Sequence, residues 1–277
     1  MLDTHCHIQF QAYKEDYEEI IKRCKEKDIQ MNAVGTQKDT SRLAVEFAEK
    51  YDNIYATIGL HPIHVSSCEV DEEEIIFKSR EEEFDPVCYG ELAKSKKVIG
   101  VGECGLDLYH IPEDKRLEDI LEKQKVAFIA QYHFAKERDL SLVIHVRDAH
   151  EQMIEILKSL APKHRGVVHC YTSNWENAKK YLDLGLHLGF TGIVTFPPKK
   201  TDPKPQLELL EVIEKCPLDR MLIETDAPYL APQAYRGQRC EPWMVEEVPK
   251  KIAEIKKIAL AEVVNQVEKN SQRLFKI

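Results

Sequence analysis

The chain has no C-x-x-C pair, no glycine-rich phosphate loop, no long apolar run and no excess of positive charge, and each absence removes a class of protein. Its eight cysteines, Cys6, Cys24, Cys68, Cys88, Cys104, Cys170, Cys216 and Cys240, are spaced too irregularly for a zinc ribbon or a thioredoxin-type redox motif. They read as reduced thiols, which fits a cytosolic or nuclear compartment. Neither a dinucleotide fingerprint nor a P-loop follows any apolar run, so nicotinamide and nucleoside-triphosphate chemistry lose their main support. No apolar stretch approaches the ~18 residues a membrane helix requires. A secretory leader is not expected either, because its removal would delete the histidines at positions 5 and 7. A net charge of −9 argues against a protein that wraps long nucleic acid through a basic face. A local polyanion site remains open.

What is present is a regular alternation. Short apolar runs occur near 2–7, 29–35, 54–60, 97–103, 141–146, 165–170, 186–191 and 220–225, with helical patterns between them. Tyr13, Tyr17, Ile20, Ile21 and Cys24 repeat at helical spacing, as do Leu43, Ala44, Phe47, Ala48 and Tyr51. Leu117, Ile120, Leu121, Gln124, Ala127 and Phe128 begin a long helix, and Ser173 with Glu176 reads as a capping box opening another. Strands alternating with helices imply parallel strands joined by crossovers. Eight such units in 277 residues predict an α/β fold of the (β/α)8 TIM-barrel type, a single domain over 1–277. Region 66–96 is acidic and lightly patterned, and 242–276 reads as one or two closing helices.

Six donor side chains sit at or just past the ends of these runs: His5, His7, Glu103, His145, His169 and Asp226. In LDTHCHI the two histidines are one residue apart, and a strand projects such a pair to one face because its side chains alternate with period two. Taken singly, each donor has an ordinary explanation as a packed histidine or a loop carboxylate. Together they occupy the same end of regularly spaced strands, the end where such barrels place their active sites. Four imidazoles and two carboxylates exceed one tetrahedral shell, which predicts two divalent ions in one polynuclear site. An imidazole-rich shell suits zinc, manganese or iron as cofactor. Two such ions generate hydroxide and clamp the attacking and leaving oxygens of an in-line displacement at phosphorus. Asp226 is then the candidate to hold the nucleophilic water and take its proton, and Glu103 to bridge the ions.

Basic residues fall on loops of the same face: Arg147, then Lys199, Lys200 and Lys204, then Arg236 and Arg239. A cationic surround suits phosphates better than a neutral ester. His61 in GLHPIHV is a further candidate for touching phosphate or orienting a ligand, as are Arg147 and Arg236 for substrate contact. Tyr171, Tyr229 and Trp243 are the aromatic rings considered for base stacking.

The motifs LDTHCH, GLHP, VGECGLD, IHVRDAHE, VHCYT, LGFTGIVTF, IETDAPYL and NSQRLF, in that order, resemble the TatD-like metal-dependent deoxyribonucleases over essentially the whole chain. The resemblance implies a hydrolase barrel related to the amidohydrolases, a DNA substrate, and 3′ to 5′ exonuclease activity dependent on divalent metal, often magnesium. It carries ligand roles onto the six donors already named. The chain departs from the family where H-C-F-S-G is replaced by His169 to Ser173 and R-N-E-P by Arg239 to Pro242, which leaves polarity and strand preference open. Two other readings fit the sequence less well: an ester, amide or lactone hydrolase on the same scaffold, which the basic loops disfavour, and a noncatalytic interaction protein, which the complete donor set disfavours.

Overall fold

The computed structural model describes residues 1–66, 69–72, 75–78, 81–112, 114–160 and 163–277, with backbone alone at 69–72 and 75–78. Cys68, expected as a free thiol, lies outside the described residues. In chain order the elements are β1 (Leu2–Cys6), α1 (Tyr17–Glu26), β2 (Gln30–Val34), α2 (Lys38–Lys50), β3 (Ile54–Ile58), β4 (Glu69–Glu72), β5 (Ile75–Lys78) and α3 (Pro86–Leu92). There follow β6 (Val98–Asp107), α4 (Leu117–Glu137), β7 (Ser141–Arg147), α5 (His150–Ser159), β8 (Gly166–Val168), α6 (Trp175–Asp183) and β9 (His187–Phe190). The chain closes with α7 (Lys204–Lys215), β10 (Met221–Ile223), α8 (Glu247–Lys256) and α9 (Leu260–Phe275). Eight strands follow chain order in one sheet, β1-β2-β3-β6-β7-β8-β9-β10, which is the (β/α)8 fold predicted from the alternation. Strands β4 and β5 form a separate antiparallel hairpin.

By its internal contacts the chain resolves into two compact units, residues 1–32 with 167–277, and residues 33–166. In the first unit, β1 is buried at all five positions, as a strand covered on both faces must be. Parallel β9 runs between β8 and β10, with Val167 opposite His187 and Leu222 opposite Gly189. A bridge from Cys6 to Ala227 sets the end of β1 beside the segment that follows β10. Helix α9 buries Val263, Val267, Leu274 and Phe275 along one stripe, and Asn270 on the same stripe donates from Nδ2 to Leu218 O and Met221 O, each at 2.8 Å. That amide fixes the helix to the start of β10.

In the second unit, β6 lies between β3 and β7, both pairings parallel. Two polar side chains on the buried stripe of α4, Gln124 and Gln131, are seven residues apart and so face the same way. Gln131 accepts from Leu60 N at 2.8 Å and donates to Leu60 O at 2.9 Å. Gln124 does the same with Asp107, at 3.0 and 2.8 Å. Each amide imitates one rung of a β-ladder, satisfying the backbone of Leu60, two residues past β3, and of Asp107, the last residue of β6. The helix therefore holds the strand ends as well as covering them.

Three sequence readings need correction. The fourth predicted strand ends at 103, whereas β6 continues to Asp107 because β7 supplies partners through Asp107 opposite Arg147. The helix expected from a Ser173 capping box starts at Trp175, capped by Asn174, whose side chain accepts from Asn177 N at 3.0 Å. Ser173 is one position too early and takes the Asn177 side-chain amide instead, at 3.1 Å. The unpatterned region 66–96 contains the β4–β5 hairpin and α3, whose cap is Asp85 followed by proline at the first helical position. Among the described residues no helix is long and apolar enough to cross a membrane.

The glutamine clamp is testable. Gln131→Leu keeps volume but leaves a buried N–H and C=O of Leu60 unpaired, and is expected to lower stability by about 2–4 kcal/mol, read as a shifted denaturant midpoint at unchanged slope. An unshifted midpoint would mean that water or a neighbour satisfies Leu60.

Candidate metal clusters

In the first unit the alternation of β1 places Asp3, His5 and His7 on one face. The backbone then interlocks with the segment after β10: Asp226 N donates to His5 O at 2.9 Å and His7 N to Ala227 O at 2.7 Å. Asp226 adopts a left-handed backbone, φ 63°, which aspartate tolerates better than most residues. The result is convergence of four donors. His5 Nε2 and His7 Nε2 lie 3.3 Å apart, and Asp226 Oδ1 lies 3.6, 3.4 and 3.6 Å from the Nε2 atoms of His5, His7 and His169.

These distances carry chemical information. A tetrahedral ion with ligand bonds of 2.0–2.2 Å separates its ligands by ~3.3–3.6 Å, the edge of the tetrahedron. All four separations fall in that range, and the donor atoms of His5, His169 and Asp226 all lie within 4.8 Å of one another, a spacing that suits ligands of a shared cation. Burial alone would raise the Asp226 carboxyl, but the imidazoles of His169, His7 and His5 hold it below the usual carboxylate range. An ionised carboxylate is the form that binds metal.

Behind these donors stand two wholly buried carboxylates. Asp3 accepts from Thr225 N at 2.9 Å, from Thr225 Oγ1 at 2.6 Å and from His5 N at 3.3 Å, tying β1 to the loop that bears Asp226. Glu224 Oε1 lies 2.9 Å from His169 Nδ1 and accepts from Cys170 N. Opposite it is Gly189, where any Cβ would come within 2.5 Å of the same oxygen. With Nδ1 turned to a carboxylate, His169 presents Nε2 to the cluster.

The second unit builds its own cluster around a β-bulge. Between the pairs Val101–Leu142 and Cys104–Ile144, strand β6 has two residues, Gly102 and Glu103, against the single Val143 of β7. From the bulge and from the strand end beyond it, Glu103 and Asp107 both reach His145: Glu103 Oε1 is 2.8 Å from Nδ1, and Asp107 Oδ2 is 3.2 Å from Nε2. Gly105 between them packs against His145 O, where a Cβ would sit at 1.9 Å. Burial opposes charge on His145, yet Asp107 and Glu103 at its two nitrogens raise it to about 10. A cation binding here would displace the proton that Glu103 and His145 share.

His61, expected to contact substrate or orient a ligand, is buried with Nε2 3.4 Å from Glu103 Oε1. Ile63 N donates to its Nδ1 at 3.2 Å, which assigns the ring proton to Nε2. That tautomer makes His61 a donor toward Glu103. Burial, then the neighbouring His145, lowers its pKa and keeps it neutral.

The remaining candidates divide by environment. Arg147 is exposed and lies over the Tyr109 ring, with Cζ 3.8 Å from its centroid, and Arg236 lies over Phe196 at 4.5 Å. Arg239, expected among the phosphate-facing cations, instead grips both carboxylate oxygens of Asp16 and the carbonyl of Ala12 while stacking on Tyr13. Lys199 and Lys200 are exposed, and Lys204 pairs with Glu208 one turn along α7. Tyr171 is buried with its hydroxyl on Asn174 O, and the Trp243 indole donates to Glu241 beneath Lys27, so neither ring is free to stack on a base. Tyr229 remains partly exposed, 6.4 Å from the His7 ring. Sequence reasoning missed Asp3, Glu224 and Asp107. The signal was present for all three: Asp3 is two residues from His5, Asp107 four from Glu103 and Glu224 two from Asp226, the spacing of one strand face.

A family model described as TatD related DNase matches residues 2–276. An uncharacterized metal-dependent hydrolase from Bacillus subtilis (strain 168) is 39% identical over 279 residues, covering 100% of this chain and 99% of its own length. A protein from Pantoea ananatis named 3′-5′ ssDNA/RNA exonuclease TatD is 30% identical over 282 residues, covering 99% of both. The crystal structure of a TatD homolog from Escherichia coli K12 superposes with a TM-score of 0.82 at 26% identity, covering 100% of this chain and 98% of that one.

Replacing Glu224 by alanine should leave His169 unoriented and weaken divalent-metal affinity by roughly 10–100-fold, with the circular dichroism spectrum unchanged. Competition against a chelator of known affinity measures this. Wild-type affinity in the variant would show that Glu224 serves packing alone.

Proposed function

We propose that this chain, which belongs to the TatD related DNase family and is a metal-dependent hydrolase, hydrolyses the phosphodiester bonds of DNA from a free 3′ end. The observation that carries the reading is the convergence of His5, His7 and His169 on the Asp226 carboxylate, at 3.4–3.6 Å. A divalent cation, when bound, supplies a water of lowered pKa and polarises a phosphoryl oxygen. His5, His7 and His169 would hold it at one cluster, and Glu103 and His145 a second ion at the other. Asp226 is 17% exposed where His5 and His7 are 0% and 3%, so it is the carboxylate that solvent reaches and the one that holds the nucleophilic water and takes its proton. The other carboxylates and imidazoles keep their neighbours in place, and Arg147 and Arg236 supply positive charge for phosphate.

Three imidazoles beside a single carboxylate favour zinc over magnesium, which prefers oxygen donors in an octahedron. The direction of attack rests on the Pantoea ananatis relative's name. The seven described cysteines are free thiols, which supports a reducing cytosolic or nuclear compartment.

Asp226→Ala and Glu103→Ala are each expected to reduce nuclease activity by about 10³-fold or more while the melting curve stays cooperative. The assay uses a 5′-labelled single-stranded oligonucleotide with magnesium, manganese or zinc, beside a panel of esters and lactones. A ladder shortening from the 3′ end supports the reading; turnover of esters alone would replace it with an esterase or lactonase.

A further inference from the structure

The loop that follows β6 is held by the Asp107 carboxylate. Asp107 Oδ1 accepts from both Tyr109 N and His110 N, each at 2.9 Å, and its Oδ2 lies 2.8 Å from His110 Nδ1. Leu108 N donates to Arg147 O at 2.9 Å, so the loop is also pinned to the end of β7. A loop held this firmly nonetheless exposes a large ring. Tyr109 is 60% exposed, the only aromatic side chain among the described residues that is classed with the open surface.

One face of that ring is covered by the Arg147 guanidinium, and the His110 ring meets it edge-on at 4.9 Å. Arg138 and Arg239 also lie over aromatic rings, and each has an acidic partner, Glu137 and Asp16. Arg147 has none among the described residues. Stacking orders its guanidinium while leaving the N–H edges without a carboxylate, an arrangement that suits an anion arriving from solvent. The loop also adjoins the second cluster directly, because the Asp107 oxygen that meets His110 Nδ1 is the one 3.2 Å from His145 Nε2.

We infer that Tyr109 and Arg147 form a nucleotide subsite, in which an unpaired base stacks on the open face of Tyr109 and the guanidinium of Arg147 binds the adjoining phosphate. The inference rests on the nuclease reading and adds to it the place where the terminal nucleotide is held. A base inside a duplex has both faces occupied, whereas the terminal base of a single strand can lie flat on the ring. Stacking of this kind tolerates any base, because every base has a π-face. Tyr109 acts in binding and takes no part in bond cleavage.

The test is a fluorescence titration of the full chain, in manganese, with a single-stranded oligonucleotide carrying 2-aminopurine at its 3′ terminus and phosphorothioate linkages that slow hydrolysis. Binding to wild-type protein is expected to quench the fluorophore. Tyr109→Ala should abolish the quenching and weaken binding roughly tenfold, and Tyr109→Phe should restore both. Arg147→Gln should weaken binding to a strand with an abasic 3′ terminus as much as to the normal strand, with a shallower salt dependence, whereas Tyr109→Ala should leave abasic-strand binding unchanged. Undiminished quenching and affinity in Tyr109→Ala would overturn the subsite, even if the protein degrades DNA normally. Conversely, Tyr109-dependent binding of the strand by a protein that cleaves no unmodified oligonucleotide would refute the nuclease reading and leave the subsite standing.

Discussion

A carboxylate removed from water must be satisfied by fixed partners, and that requirement organises this molecule. Asp3 and Glu224 are wholly buried, and so is Asp107. Each meets the cost of burial by taking hydrogen bonds from backbone or hydroxyl groups on neighbouring segments, and each spends its remaining capacity on a donor histidine or its strand. Asp3 binds the His5 backbone, Glu224 faces His169 Nδ1, and Asp107 faces His145 Nε2. The carboxylates behind the donors thus decide which ring nitrogen faces the cluster and where each strand end lies.

The same economy of polar groups runs through the scaffold. Gln124, Gln131 and Asn270 sit on helix stripes where apolar residues would be expected, and each is used to close backbone hydrogen bonds that the sheet leaves open at its strand ends. Gln124 binds the backbone of Asp107, whose side chain orients His145 and holds the Tyr109 loop. Helix packing and site geometry are therefore linked through one residue. Close approaches complete the arrangement: Gly105 and Gly189 stand where a methyl group would collide with His145 O or Glu224.

The acidic balance of the chain and a phosphate-directed chemistry are compatible because the relevant charges are local. Several surface cations are matched, among them Arg239 by Asp16, Lys204 by Glu208 and Lys123 by Glu81. Arg147 and Arg236 are instead held over aromatic rings. A cation ordered by stacking retains its hydrogen-bonding edges for a ligand, whereas one ordered by an acid has already used them.

Much of this was legible in the residues themselves. Period-two alternation put His5 and His7 on one face, and apolar runs separated by helical stripes marked all eight sheet strands, because both signals are local and repeat within a few residues. Family membership was legible too, since motifs spread from LDTHCH to NSQRLF keep their order. What the chain order alone left undecided was the work of contacts between distant segments. The convergence of His5, His7, His169 and Asp226 needs β1, the end of β8 and the loop after β10 to meet, and the commitment of Arg239 to Asp16 joins residues 223 apart in sequence. The bulge at Glu103 and the extension of β6 to Asp107 depend on the register of β7. Local periodicity determines which face a side chain occupies; only the folded chain determines what stands opposite that face, because burial and hydrogen bonding are settled by neighbours in space.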